Sequence, residues 1–360
     1  MIIFKGKIRI LRILIASILL LVAKPMYDNG HTNQDKAIDM FNLSGKTFVC
    51  GIDLGDDMTG GHGLETGLAY EMMKSFARDH NCNVSVKVGG KDVNYVDSLL
   101  QGKIDILILH HEDAEGIEGL ALSQNITDCC AMAVQANQSK YIKELDQWIE
   151  TYTQSEEFCQ MQEIFCRQHN PISLAEKGIR RQSLCPYDEL LKKYASELGW
   201  DWRMLAAVVY QESKFSINSR SHRGATGLMQ VMPRTASYYD VKDLHDPEQN
   251  LIAGTSHLKR LQKLYRSSDI THQERINFTL AAYNAGEGRV MDCRNLAKSQ
   301  NIDHNRWDEV IKVIPQMSED SILVDENVKL GKFKGKETMA YVENVMELYS
   351  AICKICPENN

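Results

Sequence analysis

Proline is scarce in this 360-residue sequence, with seven residues against 23 glycines, and no internal repeat of useful length runs through it. Collagen-like and low-complexity chains are thereby excluded. A quarter of the residues are charged and 43% are apolar, the balance of ordinary folded protein rather than of a disordered or polytopic membrane chain. Basic residues are outnumbered, 41 against 48 acidic ones, giving a net charge of −7. No basic stripe interleaved with aromatics stands out, so a partner of nucleic-acid phosphates is excluded. The ten cysteines are too few for a disulfide scaffold, and spacing does not say which could pair.

Several tempting motifs are incomplete. Cys353-x-x-Cys356 has neither a second CxxC nor a His pair at zinc spacing, so a plain thiol pair or a local disulfide is expected and no metal site is assigned. The cluster His110-His111-Glu112-Asp113 stands alone at the end of a strand pattern and is read as a solvated loop. Gly60-Gly61-x-Gly63 lacks both GxGxxG and a Walker lysine, which leaves a flexible loop before a helix rather than a phosphate cradle.

The length suggests two domains. At the start, Lys5, Lys7, Arg9 and Arg12 precede the apolar run Ile13 to Ala23 with no acidic residue among them. Eleven residues span about 16 Å as a helix, short of the ~20 residues that a bilayer crossing needs, so residues 1–23 are expected to be a cleaved export signal, with a retained membrane anchor as the alternative. Their removal would leave 37 basic against 48 acidic residues, a charge of −11.

Residues 45–155 alternate between the two periods. Strands are expected over Thr47–Ile52, Val84–Val88, Ile104–Leu109 and Cys130–Val134, with helical spacing at 64–80, 93–101 and from Ser139 to about Tyr152. The pattern is a small α/β domain with a parallel or mixed sheet. Residues 156–185, with the polar stretch Arg167 to Ser183, are expected to be a linker. From 186 to 356 helix follows helix with no convincing strand. Asp201, Asp246-Pro247-Glu248 and Thr271-x-x-Glu274 have the form of helix starts, and Gly199 and Gly286 of helix stops. The fold class is therefore α+β: a small α/β domain followed by an all-α domain.

In the helix after Asp201, Leu205, Val208 and Glu212 share one stripe, which puts a carboxylate on the apolar face. Burial there would raise its pKa, as a general acid requires. From spacing alone, a Glu near a helix end that pairs with a cation or reaches solvent remains the plainer reading.

The surrounding strings change this. Glu212-Ser213-Lys214-Phe215, Ser221, Gly224-Ala225, Gly227-Leu228-Met229-Gln230-Val231-Met232-Pro233 and Thr235-Ala236 are followed by Ala281-Ala282-Tyr283-Asn284-Ala285-Gly286, and then by Glu337-Thr338 and Tyr341-Val342. In this order they resemble the catalytic domain of the soluble-type lytic transglycosylases, lysozyme-like helical enzymes that cleave bacterial peptidoglycan. The resemblance implies that Glu212 is the single catalytic acid/base. It implies that Ser221 and Gln230 line the cleft as polar groups, that Met232 and Tyr283 wall it with the Tyr283 hydroxyl able to reach the acid, and that Glu337 and Tyr341 face it from a later helix. Asn284 is expected either to cap its helix or to touch substrate.

Most glycosidases pair two carboxylates, whereas the motif here supplies one. The implied reaction is protonation of the bond between N-acetylmuramic acid and N-acetylglucosamine, then attack of the muramoyl 6-hydroxyl on C1 to close a 1,6-anhydro ring, without metal or cofactor. Peptidoglycan glycan strands are the implied partner, and the periplasm or cell envelope the implied location. A water-using muramidase and a peptidoglycan-binding protein without turnover are the alternatives. Thr47–Val134 with the Trp148 helix resemble one lobe of a periplasmic solute-binding protein of the amino-acid-binding type, shortened by loss of the second lobe. His110–Ser123 contains no Arg that could hold a ligand carboxylate, so a remnant lobe that docks the enzyme domain or an unidentified cell-wall partner is expected.

Overall fold

The computed structural model describes residues 43–54, 63–89, 93–126, 130–166 and 170–357. The expected signal at 1–23 and the Gly60-Gly61 loop lie outside the described residues. All the described residues fall within one compact unit, 38–360.

The first part is built on a five-stranded sheet: β1 (Thr47–Asp53), β2 (Asn83–Val88), β3 (Ile106–His110), β4 (Leu120–Asn125) and β5 (Cys130–Gln135), in the order β2-β1-β3-β5-β4. β1 is parallel to β2 and β3, whereas β5 runs antiparallel to β3 and β4. Side chains alternate across the sheet as the pleat requires. Phe48, Cys50, Ile52, Ile106 and Ile108 meet Met72, Met73 and Phe76 of α1 (Gly63–Asp79) on one face. Leu107 and Leu109 meet Tyr95 and Leu99 of α2 (Tyr95–Leu100) on the other. Gly51 lies on that second face because a Cβ there would come within 2.8 Å of the Ile104 and Tyr95 side chains.

β4 was not marked by the sequence pattern: its Leu-Ala-Leu-Ser-Gln-Asn is half-polar and gains its place by pairing with the fully buried β5. The residues His111–Ala114 form a short helix, α3, instead of a loop, and His110 closes β3 with Nε2 3.3 Å from the Leu54 carbonyl oxygen. After α4 (Ile142–Thr153) the segment expected as a linker contains two helices, α5 (Glu156–Cys166) and α6 (Pro171–Glu176). The polar stretch from Arg167 drew attention from a buried stripe: Phe158, Phe165 and Leu174 join the same continuous core as the sheet and the later helices. Asn170 caps α6 by accepting from Ser173 N at 3.1 Å, and the Arg181 amide donates to Ile355 O at 2.8 Å.

The second part is helical throughout: α7 (Asp188–Leu198), α8 (Trp202–Ser213), α9 (Pro233–Tyr238), α10 (Pro247–Leu264), α11 (His272–Ala285), α12 (Glu287–Ser299), α13 (Trp307–Val310) and α14 (Lys336–Ile355). The helix starts read from the sequence are present. Asp201, Asp246 and Thr271 each accept a backbone N–H in the first turn of α8, α10 and α11. Glu274 departs from a capping box: its carboxylate accepts from Trp307 N at 2.7 Å and so ties the start of α13 to α11. The α+β class, sheet first and helices second, agrees with the expectation. Among the described residues no helix is long and apolar enough to cross a membrane. Cys50, Cys82, Cys159 and Cys293 carry free thiols.

Candidate active site

α8 is buried almost all round, with Met204, Leu205, Ala206, Ala207, Val208 and Val209 at 2% exposure or less. This rigid helix carries Glu212 at its penultimate position, half-buried at the rim of the core. Lys214 and Phe215, both at positive φ (56° and 67°), then turn the chain away. Two adjacent left-handed non-glycine residues cost of order 1 kcal/mol each and persist only where packing holds them. Phe215 is fully buried, which supplies that packing.

Across from α8 lies α14, whose buried Tyr341 donates its hydroxyl to Glu212 Oε1 at 2.5 Å. Burial pushes the Glu212 pKa from the ordinary 4.5 up to about 7, and the Tyr341 bond opposes that rise by favouring the carboxylate. Among the described residues no second carboxylate contributes to the shift. Burial also raises the Tyr341 and Tyr283 hydroxyls well above the usual phenol range, with the Glu212 charge adding to it. With the hydroxyl of Tyr341 on Oε1, the second carboxyl oxygen can still carry a proton. That is the arrangement of a general acid operating near neutral pH.

The loop after α8 forms the adjoining wall. It closes on itself through isolated bridges Arg220–Thr226 and Thr226–Val231 and is fastened from three helices. Ser213 Oγ of α8 lies 2.8 Å from Leu228 O. Tyr283 of α11 donates its hydroxyl to Met229 O at 2.7 Å. Asn250 of α10, fully buried, accepts from Met229 N at 2.9 Å and donates to Thr226 O at 2.9 Å and to Leu244 O at 2.8 Å. Gly227, at φ 75°, passes so close to Asn250 and the Leu244 carbonyl that no Cβ would fit.

Most of the expected site residues gather here, with differences in detail. The Tyr283 hydroxyl goes to Met229 O rather than to the acid, because Tyr341 already supplies that bond. Ser221 Oγ accepts from Ala225 N at 3.0 Å, and Gln230 Nε2 donates within the loop to Ser219 O at 3.0 Å and Gly227 O at 3.1 Å. Met232 is 41% exposed beside the loop. Asn284 is exposed and accepts from Thr338 Oγ1 at 2.8 Å, which joins α11 to α14. Glu337 is exposed in the first turn of α14, one turn before Tyr341. Asn250 was missed in the sequence. Its signal was a fully buried polar side chain beside Leu251, Ala253, Gly254 and Leu258. His257 on the same helix also went unnoticed. Its ring centroid is 5.6 Å from that of Tyr283, and burial lowers its pKa.

Residues 189–305 match the family described as Transglycosylase SLT domain. This SLT segment holds Glu212, the fastened loop and Tyr283, while Tyr341 follows it on α14. The chain is similar to proteins named Membrane-bound lytic murein transglycosylase F. The relative from Desulfosudis oleivorans is 38% identical over 164 residues, 45% of this chain and 35% of that protein. The relative from Vibrio cholerae is 37% identical over 163 residues, 45% of this chain and 30% of that protein. The match thus spans about a third of the length of the curated relatives. The solved 70 kDa soluble lytic transglycosylase from Escherichia coli is 18% identical, covering 67% of this chain and 38% of that chain, with a TM-score of 0.33.

Proposed function

We propose that this protein is a peptidoglycan lytic transglycosylase that cleaves the β-1,4 bond between N-acetylmuramic acid and N-acetylglucosamine and leaves 1,6-anhydromuramic ends. The observation that carries this reading is a single half-buried carboxyl, Glu212, raised to about 7 and held by Tyr341 Oη. In the first step Glu212 Oε2 gives its proton to the glycosidic oxygen as the bond to C1 breaks, and the substrate's own N-acetyl oxygen supports the positive charge at C1. In the second step the Glu212 carboxylate takes the proton of the muramoyl 6-hydroxyl, whose oxygen bonds to C1. One group serves as acid and then as base, so a second carboxylate is not required. A pKa near the working pH suits both duties.

The loop carrying Ser221, Gln230 and Met232, with Tyr283, Asn284 and Glu337 around it, is the substrate-contacting wall of this reading. No metal or cofactor enters it. The SLT match and the named relatives support the choice of murein as substrate and a place in the cell envelope, held there by a membrane anchor if 1–23 is retained. Residues 45–155 are read as a shortened solute-binding-like lobe, and 186–356 as the catalytic domain with a role in cell-wall remodelling.

The test is mass spectrometry of muropeptides released from purified peptidoglycan by the protein and by Glu212→Gln. Anhydro ends from the wild type alone are expected. Reducing ends, heavier by one water, would make the protein a hydrolytic muramidase, and binding without any release would make it a non-catalytic peptidoglycan binder.

A further inference from the structure

The sheet part touches the helical part at a chemically specific point. Tyr70, on α1, donates its hydroxyl to Asp246 Oδ2 at 3.0 Å. Asp246 is the N-cap of α10, and its other oxygen accepts from Gln249 N at 2.8 Å. The Asp246 carbonyl accepts from Asn250 N at 3.0 Å. The side chain of Asn250, in turn, makes the three bonds that hold Met229, Thr226 and Leu244. Gln249 adds to the same turn by accepting from Lys242 N at 3.3 Å and Asp243 N at 3.2 Å. One helical turn of α10 is therefore clamped by the sheet part on one side and clamps the catalytic loop on the other.

We propose that Tyr70 is a positioning residue for the catalytic centre: through Asp246 and Asn250 it sets where the loop 226–230 lies against Glu212. The inference rests on the transglycosylase reading above and adds to it that the sheet part completes the enzyme's geometry. The physical argument is one of tolerance. A bond to an ionised carboxylate is among the stronger hydrogen bonds, and Asp246 must satisfy both its cap and Tyr70 without shifting. The loop it governs contains Gly227 and Gln230 at positive φ (75° and 47°), a backbone that holds its shape only while its fastenings do. A displacement of even a fraction of an ångström of that wall moves the sugar relative to the Glu212 proton, and misplacement near 1 Å costs about 10²-fold.

The same turn provides a matched control. Tyr194 on α7 donates to Glu248 Oε1 at 2.9 Å, a tyrosine–carboxylate bond of equal kind two residues from Asp246. That bond does not lead to the Asn250 side chain.

The experiment compares Tyr70→Phe, Tyr194→Phe and Glu212→Gln in the full chain, by steady-state release of soluble muropeptides and by urea unfolding. Tyr70→Phe is expected to lower kcat by about 3- to 10-fold with KM within about twofold, because the reacting geometry is loosened and binding is not removed. Tyr194→Phe is expected to lose comparable stability and keep kcat. In a double-mutant cycle, Tyr70→Phe and Asp246→Asn should be non-additive in kcat, since both act on the one Tyr70–Asp246 bond, which Asn replaces with a weaker neutral one. Equal loss of kcat in Tyr70→Phe and Tyr194→Phe would reduce Tyr70 to a structural contact and overturn the proposal. Unchanged kcat in a folded Tyr70→Phe would also overturn it. If the wild type shows no more turnover than Glu212→Gln, it is the transglycosylase reading that has failed, and this inference falls with it.

Discussion

The raised pKa of Glu212 makes a prediction about stability that needs no substrate. In an unfolded chain this carboxyl titrates near 4.5; in the folded protein it titrates near 7. Folding is therefore coupled to its protonation. Below pH 4.5 the group is protonated in both states and imposes no cost. Between 4.5 and 7 the unfolded state loses its proton first, and the folded state is progressively disfavoured; above 7 the difference is constant. A gap of about 2.5 in pKa corresponds to roughly 3 kcal/mol, and discounting for the partial exposure of the side chain leaves about 2 kcal/mol. Glu212→Gln keeps the shape and an acceptor for Tyr341 Oη while removing the titration. The variant should match the wild type at pH 4 and exceed it by about 2 kcal/mol at pH 8.5, with the change centred between these values. Urea unfolding of both proteins at half-unit pH intervals measures the difference, in which contributions from other groups cancel. Parallel curves from pH 4 to 8.5, or a variant less stable at high pH, would refute the burial argument for Glu212.

Other outcomes follow from the same geometry. Turnover should fall on the alkaline side with an apparent pKa of about 7, because the first step needs protonated Glu212; a pH–rate profile with no such limb would count against it as the acid. Tyr341→Phe removes the bond that favours the carboxylate, so this limb should move to higher pH while kcat drops; a limb that moves to lower pH would contradict the sign of that interaction. Asn250→Leu leaves Met229 N, Thr226 O and Leu244 O without their partner, and urea unfolding should register a loss of about 3–5 kcal/mol. Gly227→Ala should cost at least ~2 kcal/mol, since both its φ and the adjacent Asn250 and Leu244 atoms oppose a Cβ; near-neutral stability would mean the loop moves more freely than its fastenings imply.

What was legible in the sequence followed physical simplicity. Asp201, Asp246 and Thr271 announced their helices because capping is local chemistry, decided within four residues. The stripe of Leu205, Val208 and Glu212 put the carboxylate on the apolar face, but the period alone left a paired or solvent-reaching Glu as the plainer reading, and only the strings around it changed that. Partners distant in sequence were not available to such reasoning. Nothing local says that Tyr341, 129 positions away, rather than Tyr283 gives Glu212 its hydrogen bond. The helices of 156–185 were hidden for a related reason: only contact with α1 and α14 makes their apolar residues core. Asn250 could have been suspected, because a polar side chain in a stripe of leucine and alanine must find buried partners.

The continuous core described above also bears on how such a chain could be rearranged. Phe165 and Tyr187 face each other edge to face, with ring centroids 6.2 Å apart, and Gly67 of α1 has no room for a side chain against them. The join between the sheet and the helices is thus a packed seam rather than a loose tether, and exchanging the front part would have to rebuild these contacts. A variant lacking it would bare Phe165 and Tyr187, and to remain soluble it would need polar residues at those positions. Tolerance of insertions belongs instead to the exposed turn around Gly178, where the chain borders open space.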